Sequence, residues 1–187
     1  MAENKVQFNL YNVHYAVITP DNDGAPVFGT PVHVPGAVTL TLDPAGSMDP
    51  FYADGVIYYM SQSNNGYTGS LEMARVPEQM LIDVWGFAQD ATSKILTESA
   101  NVETKEVALM FQIDGDQDDE CFTLYRCMLS RPNAGSTTNT DTKTPQTRSM
   151  DLTAAPIVAG TKAGQIMAKS GAETPAATKT AWFSAVA

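Results

Sequence analysis

The sequence predicts a mainly β protein, an antiparallel β-sandwich or barrel-like domain with one helix on its flank. Three observations lead there. Several segments of strand length alternate apolar and polar residues, the two-residue period of a half-buried strand. Turn-forming Gly, Pro, Asn and Asp cluster between those segments. One stretch alone, Pro77–Gly86, has convincing helical spacing.

In chain order, Lys5–Thr19 reads as a strand, with Val6, Phe8 and Leu10 on one face and Val13, Tyr15 and Val17 on the other. The switch near Tyr11-Asn12 predicts a bulge or a bend where the strand changes partners. Pro20–Gly24 is a dense turn signal. Val27–Val34 contains Pro31 and is at best an edge strand. Ala37–Leu42 alternates strictly, as does Gly66–Ala74. Between them lies a long irregular segment, about residues 43–65, broken by Pro44, Gly46, Pro50 and Gly55. Long loops in compact domains are usually functional, and this one holds Phe51, Tyr52, Tyr58 and Tyr59, which water-facing loops rarely carry. It is expected to dock on a neighbouring subunit.

The helix, about residues 77–86, starts with Pro77 at its first position and Glu78 against the dipole, and ends at Gly86. Leu81, Val84 and Trp85 mark its buried stripe. Ile95-Leu96 is a brief strand. Lys105–Asp114 and Glu120–Arg131 form an antiparallel pair joined by the acidic turn 114–119. Residues 132–145 are a loop by composition, and Gln146–Ala155 is a last alternating strand. The expected division is a sandwich domain over 1–160 and a C-terminal extension over 161–187. The extension's Trp182 and Phe183 predict docking on this subunit or the next.

The chain has 187 residues, 43% of them hydrophobic and 17% charged, which fits a folded domain with a real core. Its formal net charge is −10, from 21 acidic and 11 basic residues. That argues against an ordinary nucleic-acid binder, which replaces phosphate counterions with Lys and Arg. No signal-peptide pattern and no apolar run of membrane-helix length occur, so the sequence predicts synthesis in a cytosol without a membrane anchor. Cys121 and Cys127, six residues apart on one expected strand face, would lie ~20 Å from one another, beyond disulfide reach, and read as core thiols.

Catalytic and cofactor patterns are missing. Asp114–Asp118 has the acidic start of a calcium loop, but Asp119 and Tyr125 stand where an EF-hand needs Gly and Glu. His14 and His33 have no metal-ligand spacing, no serine nucleophile elbow occurs, and Gly66–Gly69 lacks the Lys and helix start of a phosphate cradle. The expectation is a non-enzyme with no catalytic residue, no metal and no cofactor.

Asn12–Val17, Leu42-Asp43, Asp49–Gly55 and Asn64–Glu72 resemble the phi13-type major tail proteins of long-tailed, non-contractile bacteriophages. The likeness continues through Pro77-Glu78, Phe122, Tyr125, Cys127, Arg131-Pro132 and Pro145–Thr147, and fades after Pro156. The resemblance implies a structural virion protein of the tail, assembled in the host cytoplasm. Its copies would form hexameric rings stacked into a tube, with tape-measure, tail-terminator and distal tail proteins as further partners. DNA would pass through on ejection without specific binding.

Residue patterning meets that implication. Strands 37–42, 66–74 and 146–155 would turn Thr39, Thr41, Thr68, Ser70, Glu72, Thr147, Ser149 and Asp151 towards a lumen, offering DNA no cationic anchor. Lys143 and Arg148 are expected to pair with carboxylates or to lie off the channel. Met48, Asp49, Pro50, Phe51, Tyr52 and Ala53 would tie one ring to the next. The alternative is a β-sandwich ligand- or carbohydrate-binding module, adhesin-like, whose Tyr58 or Tyr67 grips a ligand.

Overall fold

The computed structural model describes residues 4–20, 23–138 and 141–186. The chain opens with β1 (Gln7–Pro20), two short pieces β2 (Pro26–Phe28) and β3 (Val32–His33), and β4 (Ala37–Ala45). A hairpin of β5 (Met48–Ala53) and β6 (Val56–Gln62) follows, then β7 (Gly66–Met73) and helix α1 (Glu78–Trp85). After the small pair β8 (Ala88–Gln89) and β9 (Leu96–Thr97) come β10 (Val107–Gly115), β11 (Glu120–Leu129) and β12 (Arg148–Ala154). The C-terminal segment adds β13 (Met167–Lys169) and helix α2 (Ala176–Ala181).

The main sheet runs β2-β1-β10-β11-β12-β7-β4, with β3 also on β1 and β13 also on β11. Every pairing is antiparallel, and the sheet does not close into a barrel. It folds over on itself as a sandwich. Tyr15 of β1, Leu71 and Met73 of β7, Leu109 of β10, Leu124 of β11 and Met150 and Leu152 of β12 share one core, each at most 1% exposed. Burial of each such side chain is worth about 1.5–3 kcal/mol.

Helix α1 plugs this core. Met80, Val84 and Trp85 are its buried residues, so Met80 takes the place expected of Leu81, which is half-buried. Trp85 Nε1 donates to the Leu129 carbonyl at 3.2 Å, and the Tyr15 hydroxyl donates to Asp83 Oδ2 at 2.8 Å. Pro77 is the N-cap (φ −63°, ψ 145°) and not the first helical residue, because its extended ψ still belongs to the incoming chain. Gly86 closes the helix at φ 65°, donating its N–H to Ile82 at 3.1 Å.

Bulges set which faces meet the core. In β1, Asn12 adopts φ 55° and the ladder shifts by one residue between Tyr11 and His14. The expected bulge is there, but the strand keeps β10 as its partner and does not turn its second apolar set to the far face. The extra residue instead restores the phase, so Leu10, Val13, Tyr15 and Val17 all pack on the same core. A second bulge, in β11 opposite Val107–Leu109, separates the cysteines. Phe122 and Leu124 before it and Cys127 and Leu129 after it face the main core, whereas Cys121 faces the other side with Met110. The expectation of one shared face fails because a single inserted residue inverts an even spacing. Both thiols are free and buried, and burial pushes the Cys127 thiol up to about 12.

That second side of β10 and β11 is covered by the C-terminal segment, whose β13 and α2 the weak patterning after Pro156 did not announce. Trp182 is 8% exposed and donates its indole N–H to the Thr123 hydroxyl at 2.8 Å, giving a fully buried polar group its partner. Phe183 stacks on His14 with ring centres 4.8 Å apart. Residues 161–186 thus pack on their own chain.

Candidate assembly surface

The cross-strand register places the expected polar residues in rows. Thr39 lies opposite Glu72, and Glu72 opposite Ser149. Thr41 lies opposite Ser70, and Ser70 opposite Asp151. Thr68 sits between Asp43 and Thr153 in a third row. Thr147 precedes β12 and donates its hydroxyl to Glu72. Thr41 and Ser70 join their hydroxyls at 3.0 Å. All eight residues named from the sequence therefore lie on one face of β4, β7 and β12, while Leu71, Met150 and Leu152 point to the core from the opposite face.

The face is wider than the sequence suggested. Asp43 and Thr153 belong to it, and Met128 continues the third row opposite Thr153. Ser130 and Asn133 extend the other two rows beyond β11: Asp151 N–H donates to Ser130 Oγ at 2.7 Å, and Ser149 N–H to Asn133 Oδ1 at 2.9 Å. Ser130 and Asn133 fell at the end of a strand and in a loop, where alternation gives no signal. No position in these rows is Lys, Arg or His. Arg148 takes the opposite face from Ser149 and donates to the Gly135 carbonyl, and Lys143 is exposed in the loop before β12.

β4 ends the sheet, with β7 as its ladder partner and Pro44 near its end, where a missing N–H breaks no internal bond. Such an edge offers free backbone groups to another strand.

Residues 43–65 are not irregular. Met48–Ala53 pairs with Val56–Gln62 as a hairpin arm turning at Asp54 (φ 51°) and Gly55 (φ 78°). The arm is tied to the β4–β7 ladder across the break at Gly46-Ser47 by Asn65 N–H to the Ala45 carbonyl at 2.8 Å and Ser63 N–H to the Ser47 carbonyl at 2.9 Å. The six residues expected in the inter-ring loop form one strand of the arm, and sequence reasoning missed its partner strand. The signal was present: Asp-Gly flanked by apolar residues is a strong two-residue hairpin marker, since both turn positions need φ > 0.

The arm's side chains are open to solvent on both faces. Phe51 is 61% exposed, Tyr58 74% and Tyr59 63%, with Met48, Tyr52, Val56, Ile57 and Met60 all at half or more. A lone two-stranded hairpin is marginal in water, and a patch this apolar marks an interaction surface.

The acidic turn 114–119 is occupied by the chain's own donors. Asp118 bonds Lys179, Asp119 accepts the Tyr11 hydroxyl at 2.6 Å, and Asp116 accepts the Lys5 N–H at 2.7 Å. No group of three or more His, Cys, Asp or Glu suited to a metal occurs among the described residues.

No family model matches this chain, and no curated protein matches it. Among solved structures, a chain of the anti-feeding prophage baseplate, determined by cryo-electron microscopy with six-fold symmetrisation, is 12% identical. The match covers 93% of this chain and 100% of that one, with a TM-score of 0.49. At that level the likeness assigns neither a family nor a function.

Proposed function

We propose that this chain is the tail-tube subunit of a long-tailed, non-contractile bacteriophage. Its copies join into hexameric rings, and the rings stack into the tube through which DNA leaves. The observation that carries this reading is the sheet face whose rows across β4, β7 and β12 hold hydroxyls and carboxylates with no Lys, Arg or His, and which runs out to the edge strand β4. Arg126, farther along the same face on β11, is held by Glu106. A ring formed by heterologous contacts leaves no free edge, and edge-to-edge joining would line the pore with these rows. Duplex DNA carries about one charge per 1.7 Å, so Asp43, Glu72 and Asp151 repel it and the hydroxyls give it no cationic hold. The hairpin arm, apolar on both faces, is the tie to the adjacent ring. The sequence resemblance to phi13-type major tail proteins supports the same reading.

Size-exclusion chromatography of the full chain followed by negative-stain electron microscopy tests it. Rings with a central pore, alone or stacked, are expected. A monomer at every concentration tried overturns it.

A further inference from the structure

Three of the chain's four arginines, Arg75, Arg131 and Arg148, line one groove of about 650 Å³ beside α1. Its apolar lining includes Val76, Leu81, Phe87 and Leu96. Glu78 and Glu98 stand in the same wall, paired with Arg75 at 3.6 Å and Arg131 at 2.6 Å. The groove therefore keeps a net positive charge in a chain of net charge −10. Two of its arginines are open to solvent, the Arg75 side chain at 83% and the Arg131 side chain at 67%.

The arm has the complementary character. Residues 35–74 contain no Lys, Arg or His, and Asp49 and Asp54 flank the aromatic cluster of Phe51, Tyr58 and Tyr59. The arm leaves the sheet where β4 ends and β7 begins, at Ala45 and Gly66. The groove lies at the opposite end of the same strands, where β7 ends at Met73 and β12 begins at Arg148. β7 alone separates the two by ~25 Å, and the arm itself is ~30 Å long at about 3.3 Å per residue. An arm that springs from the end of the strands remote from its own groove is placed to meet the groove of a second copy displaced along the strand axis. A head-to-tail contact of this kind propagates, as an unclosed heterologous interface must. Eight large apolar side chains with roughly 100 Å² each to cover lie on the arm's two faces, so one seated face brings about half of the ~800 Å² that each partner contributes to a stable complex, and the several arms of a ring add up.

The geometry points to the Arg75–Arg131–Arg148 groove of a second copy as the receptor for the β5–β6 arm. This rests on the stacking part of the proposed function, and it names both partners in that contact.

Chains carrying Asp54→Cys and Arg131→Cys, mixed and oxidised, test it; the native thiols are buried and stay silent. A mixed disulfide identified by peptide mass spectrometry is expected, with none between Asp54→Cys and a control Thr178→Cys on α2. Reversing the groove with Arg75→Glu and Arg131→Glu should raise the concentration needed for stacking about ten-fold or more, and Asp49→Lys with Asp54→Lys on the arm should restore it. Tubes whose arm links to another surface overturn this inference and leave the tube reading standing. Linked open chains without rings support the contact and overturn the hexamer. Absence of both linkage and assembly overturns the two together.

Discussion

Phe51 and Tyr59 stand directly opposite each other across the arm, 61% and 63% exposed. Replacing both with Ser should leave the subunit folded and stop rings from stacking. Neither side chain belongs to the core, so the cost to the isolated chain is that of one cross-strand pair, about 0.5–1 kcal/mol. For a domain of this size that lowers Tm by about 1–4 °C. Assembly suffers more. The two side chains expose about 250 Å² together, which at ~25 cal/mol per Å² is ~6 kcal/mol of gross burial in a contact. Interface aromatics of this kind cost about 2 kcal/mol or more each when truncated, so a loss of ~4 kcal/mol per arm is expected. That is roughly a thousand-fold weaker contact, repeated for every arm a ring presents. Differential scanning fluorimetry reads the first quantity, and sedimentation with negative-stain microscopy reads the second. Tubes of wild-type length at wild-type protein concentration would refute the role given to the arm. A Tm drop above 10 °C would refute its independence from the core.

Three further outcomes are expected. Glu72→Lys with Asp151→Lys alters two exposed-face positions without touching the core, so tubes should form while DNA leaves virions more slowly; an unchanged ejection rate would count against repulsion by this face. Trp182→Phe leaves the buried Thr123 hydroxyl without its donor and should cost about 1–3 kcal/mol in a urea titration, part of which Thr123→Val in the same background recovers; no loss would mean that the C-terminal segment is not docked on its own sheet in solution. Burial, and secondarily the neighbouring His33, hold His14 below the ordinary imidazole value of 6.5. The folded chain thus binds this proton less readily than the unfolded one, and the contribution is intact above pH 6.5 and lost as pH falls through the depressed value. His14→Phe should flatten that part of the acid-side decline in Tm, and an identical slope in both proteins would remove His14 as its source.

Alternation located β1, β4, β7 and β12 to within a few residues, because a strand with one wet face must repeat every second residue, whereas β10 and β11, covered on both faces, were marked by their runs of strand-forming apolar residues. Pro77, Glu78 and Gly86 delimited α1 by the same local logic of orphan backbone groups at helix ends. The polar rows were legible too, since residues on one face of three strands remain together whenever the strands are neighbours. Pairing order supplied the rest. Only the register of β12 on β7 and β7 on β4 sets Glu72 between Thr39 and Ser149. Only the insertion at Asn12 keeps Leu10 and Val13 on one core, and only the β11 bulge sends Cys121 and Cys127 to opposite sides. One extra residue leaves composition unchanged yet reverses every side chain after it. The C-terminal segment was opaque for a related reason: its strand and helix are short, and the face they cover, Met110, Cys121 and Thr123, is assembled from distant parts of the chain. The grouping of three arginines at one end of the strands and an acidic aromatic arm at the other was equally invisible to sequence, because it follows from antiparallel pairing and not from spacing along the chain.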